Sequence, residues 1–282
     1  MKKVLVCLAV LALATAAFAQ EVPDVPPGQS THSMEIRGWA KPGGGGANNL
    51  IYHTGAPVIR NAKVVYIFWG SFPSGYTNEL QQFRNQFGTT PEYNTITEYY
   101  GEDAVAGYGN IAMSNLGGGT ADWFDTSTPP TNVTDSLVQA KVKEYLNTHA
   151  FNNSTVYEVF IPPASYSSSG TSTSCGGPSL AYCAYHGHFS YLGNDVKYSI
   201  EPYPSCSGCK VSGWSDAQNQ EHFVTHETRE AVTDPDLNAW YDRRGYEADD
   251  KCAWSPSPFI GTGGFGYQYE WSNLNSGCIR TR

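Results

Sequence analysis

The chain has 282 residues, with 26 acidic against 17 basic side chains and a formal charge of −9. An acidic, lysine-poor balance of this kind excludes nucleic acid and anionic membrane surfaces as natural partners. The length suffices for one sizeable core without a split into two domains.

The chain opens on a targeting segment. Lys2 and Lys3 precede an apolar run from Val4 to Phe18, and Ala17-Phe18-Ala19 places small residues at the cleavage positions. This is the pattern of a secretory signal peptide cut before Gln20. The run is short for a bilayer span and no other stretch could cross one, so the mature chain is expected to be extracellular or periplasmic. Cleavage removes two lysines and no acid, so the charge moves from −9 by two, to −11. Cys7 leaves with the signal. Cys175, Cys183, Cys206, Cys209, Cys252 and Cys278 remain, and six cysteines in an exported chain read as three disulfides. Proximity favours Cys175–Cys183, Cys206–Cys209 and Cys252–Cys278. Cys206-Ser-Gly-Cys209 has no second C-x-x-C and no βαβ context, which argues for a structural bridge over a redox or zinc motif.

Residues 20–48, rich in Pro and Gly, read as a flexible leader, with order starting at Asn49. Ala62–Trp69 is a β-branched and aromatic run, as in a strand buried on both faces. Asn78–Phe87 and Glu92–Tyr100 read as helices, and Asp135–His149 as another, capped by Thr134 or Asp135. His149, in its last turn, is a favourable partner for the helix dipole. Val156–Ile161 is a second buried strand, stopped by Pro162-Pro163. Aromatic strand-like pieces follow around Tyr182–Tyr191 and Val196–Tyr203. Helices and strands alternate to about residue 165 and irregular, cross-linked structure follows, so the expected class is α+β in one domain over 49–282.

Most of the chemistry lies between Ser215 and Pro235. Ser215 with Gln218 forms an S-x-x-Q capping box, and Pro235 ends the helix near Thr233. Within it, His226 and Glu230 are one turn apart on one face, with Glu227 beside them. The pattern H-E-x-x-E varies the H-E-x-x-H of metallopeptidases, where two ligands bind zinc and the intervening Glu handles a water. His222 and His226 form a competing pair. All three cannot share one ion, because positions 222 and 230 stand ~12 Å apart along the helix, and His226 with Glu230 is the preferred pair. The competing reading is a solvated polar helix face with a structural His. His32 and His53 have no partner in sequence.

Several motifs in order then resemble the plant Exordium, or phosphate-induced protein, family. They are Leu50-Ile-Tyr-His-Thr-Gly, the strand ending Trp69-Gly70, Cys183-Ala-Tyr-His186-Gly, Cys206-Ser-Gly-Cys209, His226-Glu-x-x-Glu230, Asn238-Ala-Trp-Tyr241, Glu247-x-x-Asp250-x-Cys252 and Gly261-Thr-Gly-Gly264. The likeness spans roughly 49–278 and looks like that of a microbial relative. It implies a secreted protein associated with cell walls, and it places Asp250 at the family's Asp two residues before Cys. A catalytic zinc takes three protein ligands, and Asp250 is the chosen third from among Asp234, Asp242, Glu247, Asp249 and Asp250. His186 and His188, near Cys183, are alternatives that read equally well as ordinary strand histidines.

The expectation is a secreted, disulfide-bonded, zincin-like α+β domain. Zn²⁺ is held by His226, Glu230 and Asp250, and Glu227 is the general base for hydrolysis of an extracellular protein or peptide by metal-bound water. The rival is a non-catalytic wall- or glycan-binding protein with a structural metal or none. No G-x-S-x-G elbow, P-loop or dinucleotide motif is present.

Overall fold

The structure, a computed structural model, describes residues 31–38 and 48–282; the expected signal peptide and most of the expected leader lie outside them. Six strands build the main sheet: β1 (Thr31–Glu35), β2 (Lys63–Trp69), β3 (Trp123–Asp125), β4 (Thr155–Ile161), β5 (Tyr182–Tyr191) and β6 (Asn194–Pro202). Their order is β1-β5-β6-β4-β2-β3. β6, β4, β2 and β3 pair in parallel, whereas β5 pairs antiparallel with both β6 and β1. Three helices accompany the sheet: α1 (Tyr76–Phe87), α2 (Asp135–Leu146) and α3 (Asp216–Thr233). The chain is thus a mixed α/β protein, and three disulfides cross-link it.

Side chains on a strand alternate between faces, and here the two faces bury different cores. Val64, Tyr66, Phe68, Val156 and Phe160 pack with α1 (Leu80, Phe83, Phe87) and α3 (Val224, Ala231, Val232). Val65, Ile67, Tyr157, Val159 and Ile161 pack on the other side with Val138 and Val142 of α2. Coverage of both faces explains why β2 and β4 read as unbroken apolar runs.

Three expectations need correction. Glu92–Tyr100 is not an α-helix. Tyr93–Glu98 is a 3₁₀ turn, and Tyr100 already pairs with Asn110 in a short ladder. The hydroxyls of Thr95 and Thr97 donate to the carbonyls three residues back, Glu92 and Asn94, which suits the tighter turn. Two of the three disulfide pairings also differ: the bridges are Cys175–Cys206, Cys183–Cys209 and Cys252–Cys278. Cys206 and Cys209 flank a 3₁₀ turn lying against β5, where the buried Cys209 meets Cys183 on that strand and Cys206 reaches Cys175. Closeness in sequence does not make two thiols face each other.

The third correction concerns the leader. Order does not begin at Asn49, because Thr31–Glu35 forms the edge strand β1. Its register sets His32 opposite His186 and Met34 opposite Ala184 of β5. His32 and Met34 are both buried, and period-2 alternation puts them on one face.

α3 is the central helix the sequence announces. Ser215 Oγ accepts from the Gln218 amide, and the Gln218 side chain accepts from the Ser215 amide, so the capping box is complete. Replacing Ser215 with Ala removes one acceptor from the first turn and is expected to cost about 1 kcal/mol. Chemical denaturation of that variant, with an unchanged m-value, checks it. Beyond the cap, almost every residue from Ala217 to Thr233 is buried, polar ones included. A helix with polar residues on all sides usually faces water; this one is enclosed, and several of its polar groups find partners. Thr228 donates to Glu158 at 2.6 Å, Gln220 to Glu201 at 3.2 Å, and Glu221 accepts from the Gly266 amide at 2.7 Å.

Candidate metal centre

The sheet face that meets α3 turns polar toward its β1 edge. Glu158 on β4, Ser199 and Glu201 on β6, His186 on β5 and His32 on β1 all belong to it, and all are buried. From the helix, His226, Glu227 and Glu230 face this stripe, each fully buried. The third contribution is the loop that follows α3, with Glu247 and Asp250, the latter opening a 3₁₀ turn, Asp250–Cys252.

The three expected ligands come together. His226 Nε2 lies 3.0 Å from Glu230 Oε2 and 3.6 Å from Asp250 Oδ1, and donor atoms of all three fall within 4.8 Å of one another. His226 Nε2 and Glu230 Oε2 are close yet make no hydrogen bond, and both are sealed from solvent. Two buried donor atoms 3.0 Å apart, with the Asp250 carboxylate beside them, are an arrangement that would fit a shared cation.

The surroundings fix which nitrogen of His226 faces that point. The Gln268 amide nitrogen donates to the Asp249 carbonyl at 2.9 Å and to Asp249 Oδ1 at 2.7 Å. Its oxygen is therefore turned to the helix, 3.2 Å from His226 Nδ1 and 2.9 Å from His222 Nε2. In the neutral imidazole Nδ1–H of His226 donates there, which leaves the Nε2 lone pair on the side of Glu230 and Asp250. His222 is spent on Gln268 and packs edge-on to Trp254, so the competing pair His222 and His226 does not converge.

Asp250 is held by the helix it faces. Its amide donates to Glu230 Oε1 at 3.0 Å. Next to it, Asp249 is anchored by Arg229, whose Nε also meets Glu270 Oε2 at 2.8 Å. The Cys252–Cys278 bridge closes the same turn.

Glu227 sits beside the three expected ligands. Its Oε2 is 3.1 Å from His186 Nδ1, while Oε1 has no hydrogen-bond partner. Burial, then the charges of Glu201 and Glu230, hold its carboxyl well above the usual range. The same buried acids act on one another throughout. Burial followed by Asp250 pushes Glu230 up to about 7. Burial works against a charged His226, but Glu230 outweighs it and raises the imidazole to about 9. Burial, then His32 and His226, keeps His186 well below its ordinary value and therefore neutral. The metal-free site thus stores protons where a cation would sit, and a metal has to displace them.

Sequence reasoning missed His32 and left His186 open. His32 Nε2 is 2.7 Å from Asp250 Oδ2, and its Nδ1 is 3.2 Å from Glu247 Oε1. His186 Nε2 is 3.8 Å from Glu247 Oε2. The available signal was a polar residue in an otherwise buried strand pattern, as with His186 among Tyr182, Ala184 and Tyr185. His32 carried none, because only its cross-strand register brings it here. His188 lies elsewhere, 2.9 Å from Asp195 in a surface group where Lys197 already supplies the positive charge. His53 stacks on Tyr241, and His149 caps its helix through the Tyr145 carbonyl at 3.0 Å.

No family model matches the chain, no curated protein matches it, and no solved structure matches it.

Proposed function

We propose that this chain is an exported, zinc-dependent hydrolase of zincin-like design, acting on an extracellular protein or peptide. The observation carrying the reading is the convergence of His226 Nε2, Glu230 Oε2 and Asp250 Oδ1 beside Glu227, with the first two sealed from solvent and not hydrogen-bonded. A zinc ion held there would supply Lewis acidity toward a carbonyl and ease ionisation of a water. Glu227 takes the proton of the attacking water and passes it to the leaving amine. His186, neutral and 3.1 Å away, orients Glu227 through its Nδ1–H. Gln268 fixes the His226 tautomer.

Export is supported by three disulfides, which persist in oxidising compartments. No helix among the described residues is long and apolar enough to cross a membrane. The Exordium resemblance points to the same compartment and to cell-wall material as a setting.

One observation favours the rival, a wall- or glycan-binding protein with a structural metal: His226, Glu227 and Glu230 are all fully buried. Substrate reaches them only if a covering element moves, and β1 is the edge strand that closes this side. The two readings separate in one pair of measurements, elemental analysis of the purified mature protein and hydrolysis of a mixed peptide library. Bound zinc with cleavage supports the hydrolase. Bound zinc with no cleavage selects the rival with a structural metal, and a metal-free folded protein sinks the hydrolase and leaves the rival without a metal.

A further inference from the structure

We propose that the centre is dinuclear, with a second divalent cation on His32, Glu230 and Glu247 beside the first on His226, Glu230 and Asp250. The inference rests on the reading of the first set as a metal site and adds a second ion to it. Donor atoms of His32, Glu230 and Glu247 also fall within 4.8 Å of one another, and so do those of His186, Glu227 and Glu230. Glu230 belongs to every set, which is the position of a carboxylate shared between two ions.

Charge is the first argument. Glu227, Glu230, Glu247 and Asp250 crowd one space, and among the described residues His32, His186 and His226 pair with them. The guanidinium of α3, Arg229, is committed to Asp249 and Glu270. Four carboxylates facing three imidazoles make a site rich in anionic oxygen donors, the kind divalent cations take.

Geometry is the second. His186 Nε2 is fully buried, has no hydrogen-bond partner, and is directed at the second set from 3.8 Å, measured to Glu247 Oε2. Its other nitrogen meets Glu227, so the nitrogen left with a lone pair is the one on the Glu247 side. His32 has its ring between the two sets, with Glu247 on one nitrogen and Asp250 on the other. Three imidazoles with four carboxylates form a donor set suited to zinc, manganese(II) or iron(II). A second ion would also pin β1 over the centre, since His32 is that strand's contribution.

The test is metal stoichiometry on the mature protein, stripped with a chelator, reloaded with Zn²⁺, dialysed and measured by elemental analysis. Two equivalents are expected. One equivalent overturns the second site and leaves the mononuclear reading standing; none overturns both. His32→Ala is expected to fall from two equivalents to one, and two retained in that variant would remove His32 from the ligand set and overturn the assignment. If His32→Ala fails to fold, the near-isosteric Glu247→Gln decides. With its circular dichroism unchanged, a drop to one equivalent supports the proposal and two equivalents overturn it.

Discussion

Glu227→Gln is expected to lower hydrolysis by about 10²–10⁴-fold while zinc content stays at the wild-type level. The substitution keeps the shape of the side chain and its contact with His186, 3.1 Å away, but removes the group that accepts a proton. His226, Glu230 and Asp250 are untouched, so loss of activity cannot be blamed on loss of metal. The Oε1 of Glu227 is buried and makes no hydrogen bond, so it is the oxygen left to accept from a water under the proposed mechanism. Measuring turnover and bound zinc on the same preparation separates the two roles. Retained turnover would sink the assignment of Glu227 as base, and loss of zinc would recast it as a ligand.

The second large effect concerns the Cys252–Cys278 bridge. Replacing both cysteines with Ser opens a loop with a sequence separation of 26, which in the chain-entropy model costs about 3–4 kcal/mol. The effect on the centre is expected first. Asp250 starts the 3₁₀ turn that ends at Cys252, and a metal ligand tolerates little displacement. Glu230 and the Arg229–Asp249 pair still hold the turn from the helix side, so zinc affinity should fall by about 10–100-fold, as for loss of an outer support. α3 keeps its cap and its own packing, so far-UV circular dichroism persists after zinc is lost. Simultaneous loss of both signals would mean that site and fold melt as one unit. Unchanged zinc affinity would leave the bridge no part in placing Asp250.

Local rules account for what was legible. The capping box at Ser215, the stop at Pro235 and the one-turn spacing of His226 and Glu230 are short-range features, and the helix follows them residue for residue. β2 and β4 were legible for a related reason: burial on both faces leaves a continuous apolar run that needs no knowledge of neighbours. The pairing Cys252–Cys278 was read correctly because a single turn and a short hairpin bring the two cysteines together.

What depended on register or on distant partners was not legible. His32 lies among residues whose composition reads as a leader, and only the antiparallel pairing of β1 with β5 sets it against His186. The tautomer of His226 is decided by Gln268, 42 positions away, whose own orientation is set by Asp249. Cys206 and Cys209 were assigned to each other by nearness, yet the turn between them presents each thiol to a different partner. The sequence by itself determined the central helix, the two buried strands and the one-turn pairing of His226 with Glu230, because each is encoded within a few turns or a few residues. The convergence of β1, β5, α3 and the 247–250 loop was decided by tertiary structure alone, because a buried polar cluster is specified by which faces meet, and that is a property of the packing.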